Sequence, residues 1–177
     1  MSSQPLFGTR VLITGAARGI GAAVARNLYQ QGALVALLGL EPELLAETSA
    51  ACGGAPWREC DVRDPQQVDR AISELVADLG RLDVVVANAG IAKQLPIVGG
   101  QPGVFEAHME VNLLGVFYTL RAAGPHIAHP GGYALAVASA AAVIQLPLLG
   151  AYSASKAGVE ALGNTLRQEL KPSGAKV

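Results

Sequence analysis

The stretch Val11-Leu12-Ile13-Thr14-Gly15-Ala16-Ala17-Arg18-Gly19-Ile20-Gly21 carries the strongest fold signal in the chain. Three apolar residues run without a polar break and stop at a glycine-rich turn, which suits a short central strand of a parallel sheet. Beyond the turn the period changes. Ile20, Val24 and Leu28 recur every four residues, as one stripe of a helix does, and Gly32 can close that helix in a left-handed cap. A glycine turn between strand and helix lets backbone approach a phosphate, whose charge the helix N-terminus favours. The spacing is TGxxxGxG rather than GxGxxG, and taken alone it also fits a purely structural turn.

The alternation continues along the chain. Ala33 to Leu40 is the next apolar run, and Pro42 opens a helix carrying Leu44, Leu45 and Ala46 that stops at Gly53-Gly54. Trp57 to Val62 reads as a weaker third strand. Asp64-Pro65 supplies the N-cap and first turn of a helix with Val68, Ile72, Leu75, Val76 and Leu79 on its apolar face, ended by Gly80. Asp83 to Ala87 is the fourth strand. After a Gly/Pro-rich loop from Pro96 to Gly103, a long helix of mixed pattern is expected from Val104 to Ala123. Gly131-Gly132 leads into a fifth strand, an apolar run to Ala138 closed by Ser139. A helix carrying Tyr152 then runs to Leu170, Pro172 and Gly174 break it, and Ala175-Lys176-Val177 begins a sixth strand. Such alternation calls for βαβ units with right-handed crossovers. The expected fold is α/β, a Rossmann-type doubly wound parallel sheet with helices on both faces.

Composition narrows the function classes. The chain has 177 residues, of which 51% are hydrophobic and 15% charged, with a mean hydropathy of +0.35. That excludes disorder and fits one domain whose sheet is covered on both faces. A net charge of −1 and a pI near 6.3 provide no basic field for a phosphate backbone, so nucleic acid is not indicated. Cys52 and Cys60 are too few for a disulfide framework, no signal peptide is evident, and the longest apolar stretch, Ala134 to Leu149, is broken by Ser139, Gln145 and Pro147. A soluble, cytoplasmic protein with no membrane partner is expected.

Tyr152 and Lys156, in Tyr152-Ser153-Ala154-Ser155-Lys156, lie one helical turn apart. A phenol has an ordinary pKa of about 10 and is a poor base at neutral pH. A tyrosine that transfers protons therefore needs a fixed positive charge beside it. Residues i and i+4 share a helix face with Cβ atoms about 5–6 Å apart, a range at which an ammonium stabilises a phenolate. The pair alone occurs by chance on many exposed helices. Ser139 distinguishes this one, because it stands at the expected C-terminal end of the fifth strand, the edge where open α/β sheets bind ligands. Together these residues point to redox chemistry on an alcohol or ketone.

Five segments in order make the chain resemble the short-chain dehydrogenase/reductase family over nearly its whole length: Thr14 to Gly21, Asp61-Val62, Asn88-Ala89-Gly90, Asn112, and Ser139 with Tyr152 to Lys156. The resemblance implies an NAD(P)-dependent oxidoreductase that moves hydride between nicotinamide and a secondary alcohol or ketone. Gly15, Gly19 and Ile20 would line the pyrophosphate and ribose, Asp61 and Val62 the adenine, and Asn88, Ala89 and Gly90 the adenosine ribose. Tyr152 would be the general acid in reduction and the base in oxidation. Ser139 would hydrogen-bond the substrate oxygen, Lys156 would hold the nicotinamide ribose, and Asn112 would bind a water in the proton relay, which completes the catalytic set. Gln145 and Leu146 to Leu149 would line the pocket of a small hydrophobic alcohol or ketone. The helices around Asn112 and after Lys156 would pair subunits into a homodimer or homotetramer.

The chain departs from the family pattern in two places. The second strand usually ends in the residue that selects the cofactor, and Gly39, Leu40 and Glu41 stand there instead. Glu41 would repel a 2′-phosphate while Arg18 could reach one, and NAD is favoured over NADP. The family also usually continues further, so the resemblance implies a C-terminally shortened chain, one dinucleotide-binding and catalytic domain over 1–177 without the usual final strand and substrate lid. The alternative is a non-catalytic dinucleotide-binding or assembly module. His108, His126 and His129 lack metal-ligand spacing and read as solvated or helix-end residues. Phe105, Phe117, Tyr118 and Tyr133 read as core or subunit-contact aromatics.

Overall fold

A computed structural model describes residues 6–177, so the first five residues of the polar opening lie outside the described part. The first strand, β1, is Arg10–Thr14, and the helix after the glycine turn, α1, is Gly19–Gln30. Two further βα pairs follow. They are β2 (Leu34–Gly39) with α2 (Pro42–Ala51), and β3 (Trp57–Glu59) with α3 (Pro65–Leu79). The caps of α3 are those its sequence demands: Asp64 accepts from the backbone N–H groups of Gln66 and Gln67, and Gly80 closes the helix at φ +79°.

β4 (Val84–Ala87) leads to one continuous helical run made of α4 (Pro102–His108), a π-wound segment (Met109–Leu114) and α5 (Gly115–Ile127). β5 (Tyr133–Ala136) and α6 (Gly150–Leu170) complete the pattern. All five strands are parallel in the order β3-β2-β1-β4-β5. Lys176 adds a parallel bridge beside Tyr133, which places the start of the sixth strand on the outer edge of β5. The fold is therefore a Rossmann-type doubly wound sheet. Its strand order reverses between β1 and β4, and a crevice opens at the carboxyl ends on either side of that point.

The two-residue period of each strand divides the interior into two cores. Leu12, Leu38 and Val85 face α3 and α5 together with Val159 and Leu170 of α6. Val11, Ile13, Val35, Leu37 and Val86 face the other way, toward Ala25 of α1 and Leu45 of α2. Asp83 ties the opposite end of the sheet. It accepts from the Arg10 amide at 2.8 Å and from Arg81 at 2.9 Å.

Several boundaries differ from expectation. β3 stops at Glu59, although the Cys60 amide still donates to the Gly39 carbonyl before the chain turns away. The long helix begins at Pro102 and reaches Ile127. β5 ends at Ala136, three residues before Ser139, whose hydroxyl accepts from the Ala141 N–H and caps a short 3-10 turn, Ala140–Ala142. Ile20 is 67% exposed rather than part of a buried stripe, because Gly21, Ala22 and Ala25 form the face of α1 that packs on the sheet. Phe105, Phe117 and Tyr133 are each more than a third exposed, so they are not core residues.

Candidate active site

Backbone builds one end of the crevice. Gly15 has φ +66°, and a Cβ on it would stand 2.8 Å from the Ala89 Cα, while one on Gly21 would overlap the Gly15 carbonyl oxygen. Only glycine fits so close a crossing of the β1 turn and the end of β4. Side chains at the strand ends fasten that crossing. The Thr14 hydroxyl accepts from the amides of Asn88 and Ala89, and the Asn88 carboxamide donates to the Thr14 carbonyl at 2.9 Å. Gly19, at φ +58°, faces open space, where an added Cβ would meet nothing within 4 Å.

The cleft above this turn holds about 350 Å³. It brings together every residue for which the resemblance implied cofactor contact. Gly15, Arg18, Gly19 and Ile20 come from the turn, Gly39 and Leu40 from the end of β2, and Asp61 and Val62 from the segment after β3. Asn88, Ala89 and Gly90 follow β4, and Tyr152 and Lys156 project from α6. Arg18 and Glu41 form an ion pair at 2.9 Å on the rim. Arg63 grips the Asp61 carboxylate and holds its pKa below the usual range. Burial raises the Cys60 thiol to about 11.

Buried polar side chains build the other end. Lys156 is 3% exposed, and its ammonium donates to the Val137 carbonyl at 2.6 Å and lies 5.8 Å from the centroid of the Tyr152 ring. Burial lowers its pKa. Asn112 is fully buried in the π-wound segment. Its Oδ1 accepts from the Ile91 amide at 2.8 Å, and its Nδ2 donates to the Ile91 carbonyl at 2.9 Å and to Ser155 Oγ at 3.1 Å. Both amide hydrogens are thus committed. Ser155 passes the chain of bonds on, donating to the Tyr152 carbonyl at 2.7 Å. Asn112 and Ser139 do not line the cleft itself. Asn112 stands behind Gly90, and Ser139 lies beyond β5 with its hydroxyl hydrogen unused by the bond from Ala141.

Between Ser139 and Tyr152 the chain exposes Val143, Ile144, Leu146 and Leu148. Leu148 has φ +67°, a conformation that costs a non-glycine residue about 1–2 kcal/mol. Its carbonyl accepts from the Leu95 amide at 2.8 Å, and Leu95 and Leu149 form a parallel bridge.

His108 corrects the sequence reading. It is fully buried at the end of α4, with one ring nitrogen against the Val104 carbonyl and the other against the Lys93 amide. Its position four residues before Asn112 was a usable signal, since it places both on one helix face. Val137 was also missed, because its part is played by a backbone carbonyl that no side-chain pattern reveals. No group of three His, Cys, Asp or Glu residues among the described residues is placed to hold a metal ion, and no described helix is long and apolar enough to cross a membrane.

The family model described as short chain dehydrogenase matches residues 9–177. The chain belongs to the short-chain dehydrogenase family. Among its family relatives, D-threitol dehydrogenase of Mycolicibacterium smegmatis is 34% identical over 177 residues, spanning 97% of this chain and 68% of the relative. L-2,3-butanediol dehydrogenase of Corynebacterium glutamicum is 35% identical, spanning 92% of this chain and 66% of its own length. Carveol dehydrogenase from Mycobacterium avium, solved in complex with NAD, superposes on this short-chain dehydrogenase with a TM-score of 0.92 at 30% identity, over 99% of this chain and 70% of that one.

Proposed function

We propose that this short-chain dehydrogenase moves hydride between a nicotinamide dinucleotide and a secondary alcohol or ketone with an apolar body, with residues 1–177 acting as one dinucleotide-binding and catalytic unit. The observation that carries the proposal is that Tyr152 and Lys156 open onto the same cleft as the glycine turn. The cleft fits such a ligand because the space over Gly19 is open and the C-terminal ends of all five strands converge on it. Gly15, Gly19 and Ile20 would face the pyrophosphate and Lys156 the nicotinamide ribose. Bound there, the nicotinamide supplies the two-electron donor or acceptor.

Tyr152 takes the hydroxyl proton of the alcohol during oxidation and returns a proton to the carbonyl oxygen during reduction. Ser139, with a hydrogen to donate, stabilises the charge that develops on that oxygen. Lys156, anchored by the Val137 carbonyl, keeps a cation near the phenol. Asn112 sets the backbone on which a relayed water would rest. NAD is favoured over NADP because Glu41 lines the cleft and engages Arg18, the cation that would otherwise meet a 2′-phosphate. The exposed apolar side chains from Val143 to Leu148 support an apolar substrate.

Tyr152→Phe is expected to lower turnover by about 10³-fold or more while leaving the NADH dissociation constant within about twofold. Turnover retained in that variant overturns the mechanism. Saturable NADH binding by the unaltered chain without turnover of any alcohol or ketone in a broad panel would support the non-catalytic reading instead.

A further inference from the structure

We infer that His108 is a positioning residue, which as a neutral imidazole joins Asn112 in a two-point clamp on the loop between β4 and α4 and backs the ring of Tyr152. The ring chemistry fixes its state. The Lys93 amide can only donate, so the Nε2 it approaches at 3.0 Å is an acceptor, and Nδ1 therefore carries the hydrogen given to the Val104 carbonyl at 2.7 Å. With both nitrogens committed and the residue fully buried, His108 has no site left for exchanging protons with a substrate. Its contribution is geometric.

The two grips act on one short piece of chain. His108 and Asn112 are four residues apart on one helical run. The groups they hold, the Lys93 amide and both backbone groups of Ile91, are two residues apart. The gripped segment has no regular secondary structure of its own, apart from the bridge of Leu95 to Leu149. It nevertheless supplies Gly90, Ile91 and Ala92 to the cleft, and Leu95, Pro96 and Ile97 to a neighbouring apolar groove of about 500 Å³ beside the start of α6. On its other side the imidazole meets the Tyr152 ring edge-on, with centroids 6.5 Å apart and planes at 79°. One side chain thereby couples the placement of the cleft wall to that of the phenol.

Two variants test this. H108L keeps a similar bulk but cannot accept from Lys93, whereas H108Q can place a carboxamide oxygen where Nε2 stands. In H108L, kcat is expected to fall about tenfold or more with the NADH dissociation constant within about threefold, as misplacement near the chemistry dictates. The Lys93 amide should exchange with deuterium about tenfold faster once its acceptor is gone. H108Q should recover most of both losses. Equal damage in H108Q and H108L overturns the inference, and so does a folded H108L with unaltered kcat or unaltered Lys93 exchange. If H108L does not fold, H108N, which reaches Val104 but not Lys93, takes its place with the same expected and overturning results. The kinetic arm rests on the proposed role of Tyr152, but the exchange arm does not. An unaltered chain that binds NADH without turnover removes that role and leaves the clamp to be decided by exchange.

Discussion

The two ends of the cleft are made of different material. At the β1–β2 end the walls are backbone: Gly15 and Gly21 bring the turn within van der Waals reach of the chain after β4, Gly19 leaves the space above it open, and the side chains there are small or point to solvent. At the α6 end the walls are held by Lys156, Asn112, Ser155 and His108, all nearly or wholly buried and joined by hydrogen bonds to one another or to backbone. The first end is specified by which atoms are missing, the second by which polar groups are satisfied. Damage should follow the same division. Added atoms are ruinous at the turn, and lost partners are ruinous near α6.

Gly15→Ala is the strongest way to break this comparison. It forces a positive φ on alanine and drives its Cβ into backbone at Ala89, at a cost of about 2–4 kcal/mol. Urea denaturation should show that loss, with NADH affinity falling alongside, and a variant of native stability would show that the turn is not so closely packed. Glu41→Ala sharpens the comparison on the rim. Freed from its partner, Arg18 becomes available to a 2′-phosphate, and NADPH affinity relative to NADH should rise about tenfold, the size of one charge-assisted hydrogen bond. An unchanged ratio from paired titrations would remove Arg18 from cofactor selection.

The smallest expected effect is that of Asp61→Asn. The pKa of Asp61 is lower folded than unfolded because of Arg63, so its stabilisation is complete above the ordinary carboxylate value of about 3.9 and disappears as pH falls through the lower folded value. The variant should be less stable than the parent by under about 1 kcal/mol at neutral pH, and equal to it at the acid end of that window. A gap that persists in acid would mean the carboxamide disturbs packing instead.

Much of this was legible in the sequence where its signals are local. Asp64-Pro65 and Gly80 state the limits of α3 through their own capping chemistry, and the glycine turn announces a close backbone crossing. The end of β5 was not legible, because the apolar run goes on through Val137-Ala138 while the pairing with β4 closes on the bond from the Val137 amide to the Ala87 carbonyl. Periodicity reports burial, not where a hydrogen bond is made. Ile20 misled for the opposite reason, since its helical spacing suited a core stripe that the smaller Gly21, Ala22 and Ala25 occupy. His108 was misread because the donor that satisfies its buried ring nitrogen is a loop amide fifteen residues away, in a stretch with no periodicity at all. The helical spacing of Tyr152 and Lys156 was plain, but the carbonyl that anchors the lysine was not.

The knot between Thr14 and Asn88 joins positions 74 apart in the chain. During synthesis on the ribosome the glycine turn exists long before the strand that braces it, so a nascent chain that has not reached Asn88 carries the turn without its anchor. Parallel pairings of such long range form slowly, because the loop must close before any contact rewards it. Competence to hold a ligand should therefore arrive only after Asn88 has been made and its segment has closed back onto the turn.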